Sequence, residues 1–165
     1  MGKPLTPDDL AAYLAAHGIR GEVLRLSRPT PTVTAAAEVM GVSPEQILKT
    51  VVFMVADRPV LVIARGLGRI DTRALARQLG VPRKAIRVAK PAEVLEATGY
   101  PAGGVPPVGH RRALPILVDR QVLGLPLAYA GGGAVSALLR IAPADLLAAT
   151  RATVVDVQPS AASGE

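Results

Sequence analysis

Residues 47–56 and 60–64 restrict the fold more than any other stretch: they are two runs of apolar, largely β-branched residues separated only by Asp57-Arg58-Pro59. A link that short joins antiparallel neighbours, because parallel strands need a crossover of a dozen or more residues. The two runs therefore predict a β-hairpin with Asp57-Arg58-Pro59 as its turn.

Punctuation around the hairpin marks the remaining elements. Pro7 after Thr6, two acids in the first turn, Leu10 and Leu14 four residues apart, and Gly18 as a stop predict a first helix. Residues 22–26 read as a strand and residues 27–31 as a loop, and a second helix is expected from Thr34 to Gly41. Ser43, Pro44 and Gln46 have capping-box spacing and predict a short helical turn directly before the hairpin. Asp71 and Thr72 cap a helix through Leu79 that Gly80 closes, residues 91–97 before Gly99 predict another, and residues 86–88 form a short strand between them. Beyond Gly99, glycine and proline interrupt short apolar strands at 116–118 and 125–129. Pro143 opens a last helix, and 153–157 reads as a final strand. No internal repeat is visible, and helices and strands mix without regular alternation. The expected fold class is α+β, a single domain around a mixed or closed sheet rather than a doubly wound fold. Residues 1–157 are expected to form this domain and residues 158–165 a flexible C-terminal tail.

The chain has 165 residues, half of them apolar, enough for one buried core. It has no cysteine, which excludes disulfides, Cys-ligated metals and a Cys nucleophile. With His17 and His110 as the only histidines, neither a metal nor a cofactor is expected. Ser27, Ser43 and Ser136 stand in no nucleophile-elbow pattern, which disfavours a serine hydrolase. Phe53, Tyr13, Tyr100 and Tyr129 are the only aromatic residues, too few for a base-stacking platform on single-stranded RNA. Nineteen Lys and Arg against thirteen Asp and Glu leave a net charge of +6, which makes a polyanionic partner reasonable. The N-terminus lacks a signal-peptide pattern and no stretch approaches eighteen apolar residues. A soluble, cytoplasmic protein with no membrane association is expected.

Lys49 sits inside the apolar run, flanked at two-residue spacing by Ile47 and Val51. A lysine there either snorkels from the strand end or meets an oxygen of a ligand. The segment from Thr98 to His110 holds four glycines and three prolines in thirteen residues. Such a loop is locked at its prolines, while its glycines let backbone N–H groups approach an oxyanion; the alternative is a rigid barrel corner without a ligand. It has neither the P-loop nor the dinucleotide-binding pattern. Gly131-Gly132-Gly133 is either a turn or a cleft wall. His110, beside Arg111 and Arg112, is an acid–base candidate or a surface residue.

Together these segments carry a resemblance. Lys49-Thr50 after a short capped turn and before a hairpin, then TGYPAGGVPPVGH, then YAGGGAVSALLRIAPADLL, resemble in order the YbaK family, also called the aminoacyl-tRNA-associated domain. That family is similar to the editing domain inserted in bacterial-type prolyl-tRNA synthetases. The resemblance runs from about Thr6 to Val157 and implies a single-domain α+β fold with a mixed, barrel-like β-sheet flanked by short helices. It implies hydrolysis of the ester that joins a mischarged amino acid to the 3′ end of a tRNA, most directly tRNA(Pro) carrying Cys or Ala. Its implied partners are the tRNA acceptor end and a prolyl-tRNA synthetase, not DNA.

Lys49 matches the family's essential lysine and Thr50 follows it. Gly103 and Gly104 match the paired glycines of a loop that Pro107 and Gly109 complete, and Lys49, Gly103 and Gly104 are the implied catalytic set. Thr34, Thr50, Pro107, Gly109, His110, Gly131 and Gly132 are the implied substrate-binding set. Gly131 aligns with a position that is serine in some members that remove cysteine. On this reading, Lys49 as a cation stabilises negative charge or holds the substrate and its adenosine end, a desolvated, neutral Lys49 would instead act as a base, and backbone groups of Gly103 and Gly104 bind the developing oxyanion. The attacking group is water or part of the substrate. Two other readings stand: a catalytically silent member that binds tRNA or a synthetase, and an unrelated small-molecule hydrolase.

Overall fold

The computed structural model describes residues 3–159. In chain order the elements are helix α1 (Pro7–Ala16), strand β1 (Glu22–Arg25), helix α2 (Val33–Met40), strands β2 (Leu48–Val55) and β3 (Arg58–Arg65), helix α3 (Thr72–Leu79), strand β4 (Ile86–Val88), helix α4 (Pro91–Thr98), strands β5 (Ile116–Asp119), β6 (Ala128–Gly131) and β7 (Ala137–Ile141), helix α5 (Pro143–Thr150) and strand β8 (Thr153–Val155). Short 3-10 turns lie at Pro44–Gln46, Arg83–Ala85 and Arg120–Gly124.

β2 and β3 form the antiparallel hairpin, paired from Leu48–Arg65 to Val55–Arg58. Its turn is tighter than the sequence implies. Ala56 and Asp57 make it alone, with φ of 47° and 65°, the two positive values that match the turn to the twist of the strands. Pro59 therefore lies inside β3, opposite Met54. It is tolerated because β5, on the other side, pairs only from Leu61 onward, so no ladder bond needs the missing N–H.

Five strands form a mixed sheet in the order β4-β2-β3-β5-β8, antiparallel among the first three and parallel among the last three. A second, antiparallel sheet has the order β1-β7-β6. A single parallel bridge between Ile47 and Tyr129 joins them. The architecture is thus α+β with a mixed sheet, stopping short of a closed barrel.

The larger sheet is covered on both faces, which is why β3 reads as an unbroken apolar run. Leu61 and Ile63 join Leu48 and Val52 in a core shared with Leu10, Leu139 and Leu146. Val60 and Val62 join Phe53 and Val55 in a second core against Leu75 of α3. Leu61, Val62, Ile63 and Ala64 are completely buried, and each large side chain there contributes about 1.5–3 kcal/mol. α2 covers the smaller sheet, packing Ala36 and Ala37 with Tyr129 and Leu138.

Several ends differ from expectation for local reasons. α2 begins at Val33 because Thr32 caps it, its Oγ1 accepting from the Ala35 N–H at 3.1 Å. The capping box at Ser43 stays open: Ser43 Oγ accepts from the Glu45 N–H at 3.2 Å, while the Gln46 amide donates to the Leu127 carbonyl at 3.4 Å. The strand expected at 125–129 falls instead at β6, since Leu125 ends the preceding 3-10 turn. β7 is an element the sequence reading misses. Gln158, assigned to the tail by sequence, is anchored. Its side chain bonds the Arg65 N–H at 3.0 Å and carbonyl at 2.9 Å, and its own N–H donates to Asp119 Oδ1 at 2.9 Å. Residues 160–165, the rest of the expected tail, lie outside the described residues. Among the described residues no helix is long and apolar enough to cross a membrane.

Candidate functional site

The 3-10 turn capped by Ser43 delivers the chain into β2, whose second and third residues are Lys49 and Thr50. They pair with Ala64 and Ile63, so two polar residues stand opposite the most deeply buried part of β3. Lys49 shares the α3-side face with Val51 and Phe53, and its Nζ donates to the Gly68 carbonyl in the loop before α3. Among the described residues no carboxylate pairs with it. Glu45, on the preceding turn, is engaged by Arg65 at 3.3 Å. Partial burial holds the Lys49 pKa below the ordinary lysine value, because desolvation disfavours the charged form. Thr50 points to the opposite face, where its Oγ1 is buried without a hydrogen-bond partner. An orphan hydroxyl of this kind costs about 1–3 kcal/mol.

Both residues line a cavity of about 150 Å³. The loop before α2 and the start of that helix supply Thr30, Pro31, Thr32, Val33 and Ala36. Ile47, Leu48 and Leu138 add apolar surface, and Gly103, Val105 and Gly131 complete the wall. Thr30 is already occupied by the Val135 carbonyl, to which its N–H donates at 2.6 Å and its Oγ1 at 3.3 Å. Thr32 caps α2. Lys49 is therefore the polar side chain on the lining with donors to spare, since the Gly68 carbonyl uses one of its three N–H groups.

The glycine wall has a steric origin. A Cβ on Gly131 would lie 2.2 Å from the Val105 carbonyl oxygen, one on Gly104 2.7 Å from the Ala134 backbone, and one on Gly132 2.5 Å from the Ala137 backbone. The two Gly-rich segments pack main chain against main chain, tied by the Gly133 N–H donating to the Gly104 carbonyl at 2.8 Å. Gly103 and Gly104 consequently divide. Gly103, at φ 91°, is exposed and lines the cavity. Gly104 is buried, and its N–H closes a turn on the Pro101 carbonyl at 3.2 Å. It cannot serve as the expected oxyanion donor without breaking that turn.

The structure thus gathers Lys49, Thr50, Gly103 and Gly131 around one cavity and leaves the other sequence candidates outside it. Thr34, the second residue of α2, is exposed and lies off the cavity lining. Pro107 and Gly132 are buried beside the cavity's scaffold rather than on its lining. Gly109 and His110 face a separate cavity with Tyr13 and Arg112. His110 Nε2 bonds the Pro106 carbonyl at 2.7 Å, so Nε2 carries the proton and the ring braces the loop, while burial lowers its pKa. Sequence reasoning missed Thr30, Thr32, Val33, Ala36 and Leu138. The available signal was Pro29 and Pro31, which lock the loop presenting Thr30 and Thr32. Among the described residues no three His, Asp or Glu side chains cluster as metal ligands.

The cavity is too small for a polymer, and its lining sets Lys49 and Thr50 among apolar walls. The fold and site define an α+β domain with a small, mainly apolar cavity beside its central hairpin. The model of the aminoacyl-tRNA editing domain matches residues 27–149, and the chain belongs to that family, as the YbaK resemblance implied. A structure described as a candidate trans-editing enzyme for prolyl tRNA synthetase superposes with a TM-score of 0.86 at 37% identity, covering 93% of this chain and 97% of that one. The uncharacterized protein YwhH of Bacillus subtilis is 30% identical over 126 residues, 76% of this chain and 78% of its own length. The proline–tRNA ligase of Acidithiobacillus ferrooxidans is 30% identical over 128 residues, 76% of this chain but 21% of the ligase. The chain thus spans about a fifth of the ligase it matches.

Proposed function

We propose that this protein is a freestanding trans-editing deacylase that hydrolyses the ester between a mischarged amino acid and the 3′ end of a tRNA, with tRNA(Pro) carrying Cys or Ala as its substrate. The observation that carries this reading is the placement of Lys49, a cation with no carboxylate partner among the described residues, on one small, mainly apolar cavity. The family, the ligase relatives and the structural neighbour described for prolyl tRNA synthetase support it.

A void of about 150 Å³ is large enough to take benzene. Ala and Cys side chains enter it easily, but so does the proline ring. Rejection of the cognate amino acid then has to come from how the ester and amino group are held, not from exclusion by volume. In the reaction, water attacks the acyl carbon, the bond to the ribose oxygen breaks, and the 3′ hydroxyl leaves with a proton. Lys49, as a cation, holds the ester or the terminal nucleotide and stabilises the developing negative charge. The Gly103 backbone remains the candidate second donor. A prolyl-tRNA synthetase is the partner that would supply the mischarged tRNA.

The test is deacylation of tRNA(Pro) charged separately with Cys, Ala and Pro, comparing wild type with Lys49→Ala. Rapid loss of Cys or Ala, spared Pro, and abolition by the substitution are expected. Binding of tRNA without turnover of any of the three would replace this reading with a silent, tRNA-binding role.

A further inference from the structure

The net charge of this protein is concentrated in one segment. Residues 66–90 hold seven of the nineteen basic side chains and one of the thirteen acids, and the remainder of the chain is balanced at twelve of each. The segment comprises the loop after β3, α3, the following 3-10 turn and β4. α3 buries Ala74, Leu75 and Ala76, which leaves Arg73 and Arg77, four residues apart, exposed on its outer face. Arg87 is neutralised by Glu93 at 2.8 Å. Among the described residues Arg69, Arg73, Arg77, Arg83 and Lys84 form no ion pair.

Three of these converge. Arg69, Arg73 and Arg83 line one open, polar concavity of about 490 Å³ together with Asp71. The Asp71 carboxylate is turned into α3, where it accepts from the Arg73 and Ala74 N–H groups at 2.9 and 3.2 Å. The concavity begins one residue beyond the backbone group that Lys49 contacts. Arg69 directly follows Gly68, whose carbonyl receives the Lys49 ammonium. Arg69 and Arg73 thus place two cations within five residues of that carbonyl, with Arg83 across the same concavity.

We infer that the Arg69–Arg73–Arg83 concavity binds phosphates of the RNA whose aminoacylated end enters the Lys49 cavity. Guanidinium groups suit this role because their planar donor forks fit phosphate oxygens. The scarcity of aromatic residues fits it too, since backbone contacts need no stacking platform. The inference rests on the editing reading, and its test separates the two.

Binding of uncharged tRNA is measured by fluorescence anisotropy across a salt series for wild type, R69Q/R73Q/R83Q, and R20Q/R58Q/R112Q, which removes equal charge elsewhere. The first variant should lose at least about tenfold in affinity near 0.1 M salt, and its slope of log K against log salt should flatten by about 2 to 3. The second should keep the wild-type slope. Hydrolysis of a 3′-aminoacyl adenosine, which lacks the phosphates, should be equal in wild type and both variants, while KM for charged tRNA rises only in the first. Equal weakening in both variants, or no change in the first, overturns the site. Equal, Arg-dependent binding of duplex DNA overturns its assignment to RNA. If tRNA binding depends on the three arginines but no ester is cleaved, the surface stands and the editing reading falls. If charged tRNA is deacylated with an unchanged KM in the first variant, the reverse holds.

Discussion

The two strands of the central hairpin have the same length, share one register and contribute to the same two cores, yet they carry different tasks. β3 is apolar and wholly buried from Leu61 to Ala64, whereas β2 places Lys49 and Thr50 opposite Ala64 and Ile63. The site is set where one strand's apolar pattern is interrupted and its partner's is not. β3 supplies rigidity, and β2 uses it to hold a cation and a hydroxyl on a strand instead of a mobile loop.

That division can be broken by substitution on either strand. Ile63→Ala should cost about 2–5 kcal/mol in chemical denaturation, while turnover per folded molecule changes little. Lys49→Ala should do the opposite, leaving the denaturation midpoint near wild type and lowering deacylation by about 10²–10³-fold. If Lys49→Ala unfolds the protein or Ile63→Ala abolishes turnover of the folded fraction, the two strands do not divide the work this way. Thr50→Val sharpens the contrast at smaller scale. Removing the buried, unsatisfied hydroxyl should leave stability unchanged or raise it by about 1 kcal/mol, with KM for charged tRNA little changed.

The smallest effect is in pH dependence. Burial holds the folded-state pKa of Lys49 below its ordinary 10.5, so the cation is lost earlier as pH rises than it would be in water. Deacylation, corrected for spontaneous ester hydrolysis, should therefore fall on the alkaline side before pH 10.5. Any activity retained by Lys49→Arg should not show that fall, since a guanidinium stays charged.

Much of this arrangement is legible in the sequence because it rests on local chemistry. Thr6 with Pro7, Gly41, Gly80 and Asp71 mark helix ends through side-chain oxygens and left-handed glycines that act within a few residues. Lys49 stands out because a charge in an apolar run is costly wherever the run folds. What escapes is set by distant partners. β7 is defined by pairing with β1 and β6 on either side, and no residue within it announces that. The glycines of the two loops look alike in sequence. Only their packing shows that Gly103 and Gly131 face the cavity while Gly104 and Gly132 are consumed in the scaffold. Likewise Thr30 reaches the site through its bond to Val135, 105 residues away.

The glycine wall also dictates how such a pocket can be redesigned. Where two main chains meet with no room for a Cβ, as at Gly131 against Val105, side-chain replacement cannot move the wall inward by a methyl at a time; it can only force the loops apart. Resizing the cavity has to proceed from the opposite side, at Val33, Ala36 and Leu138, where methyl groups can be added or removed. Anyone retuning this domain for a different amino acid would be choosing residues on α2 and β7 while leaving the glycines as a fixed template.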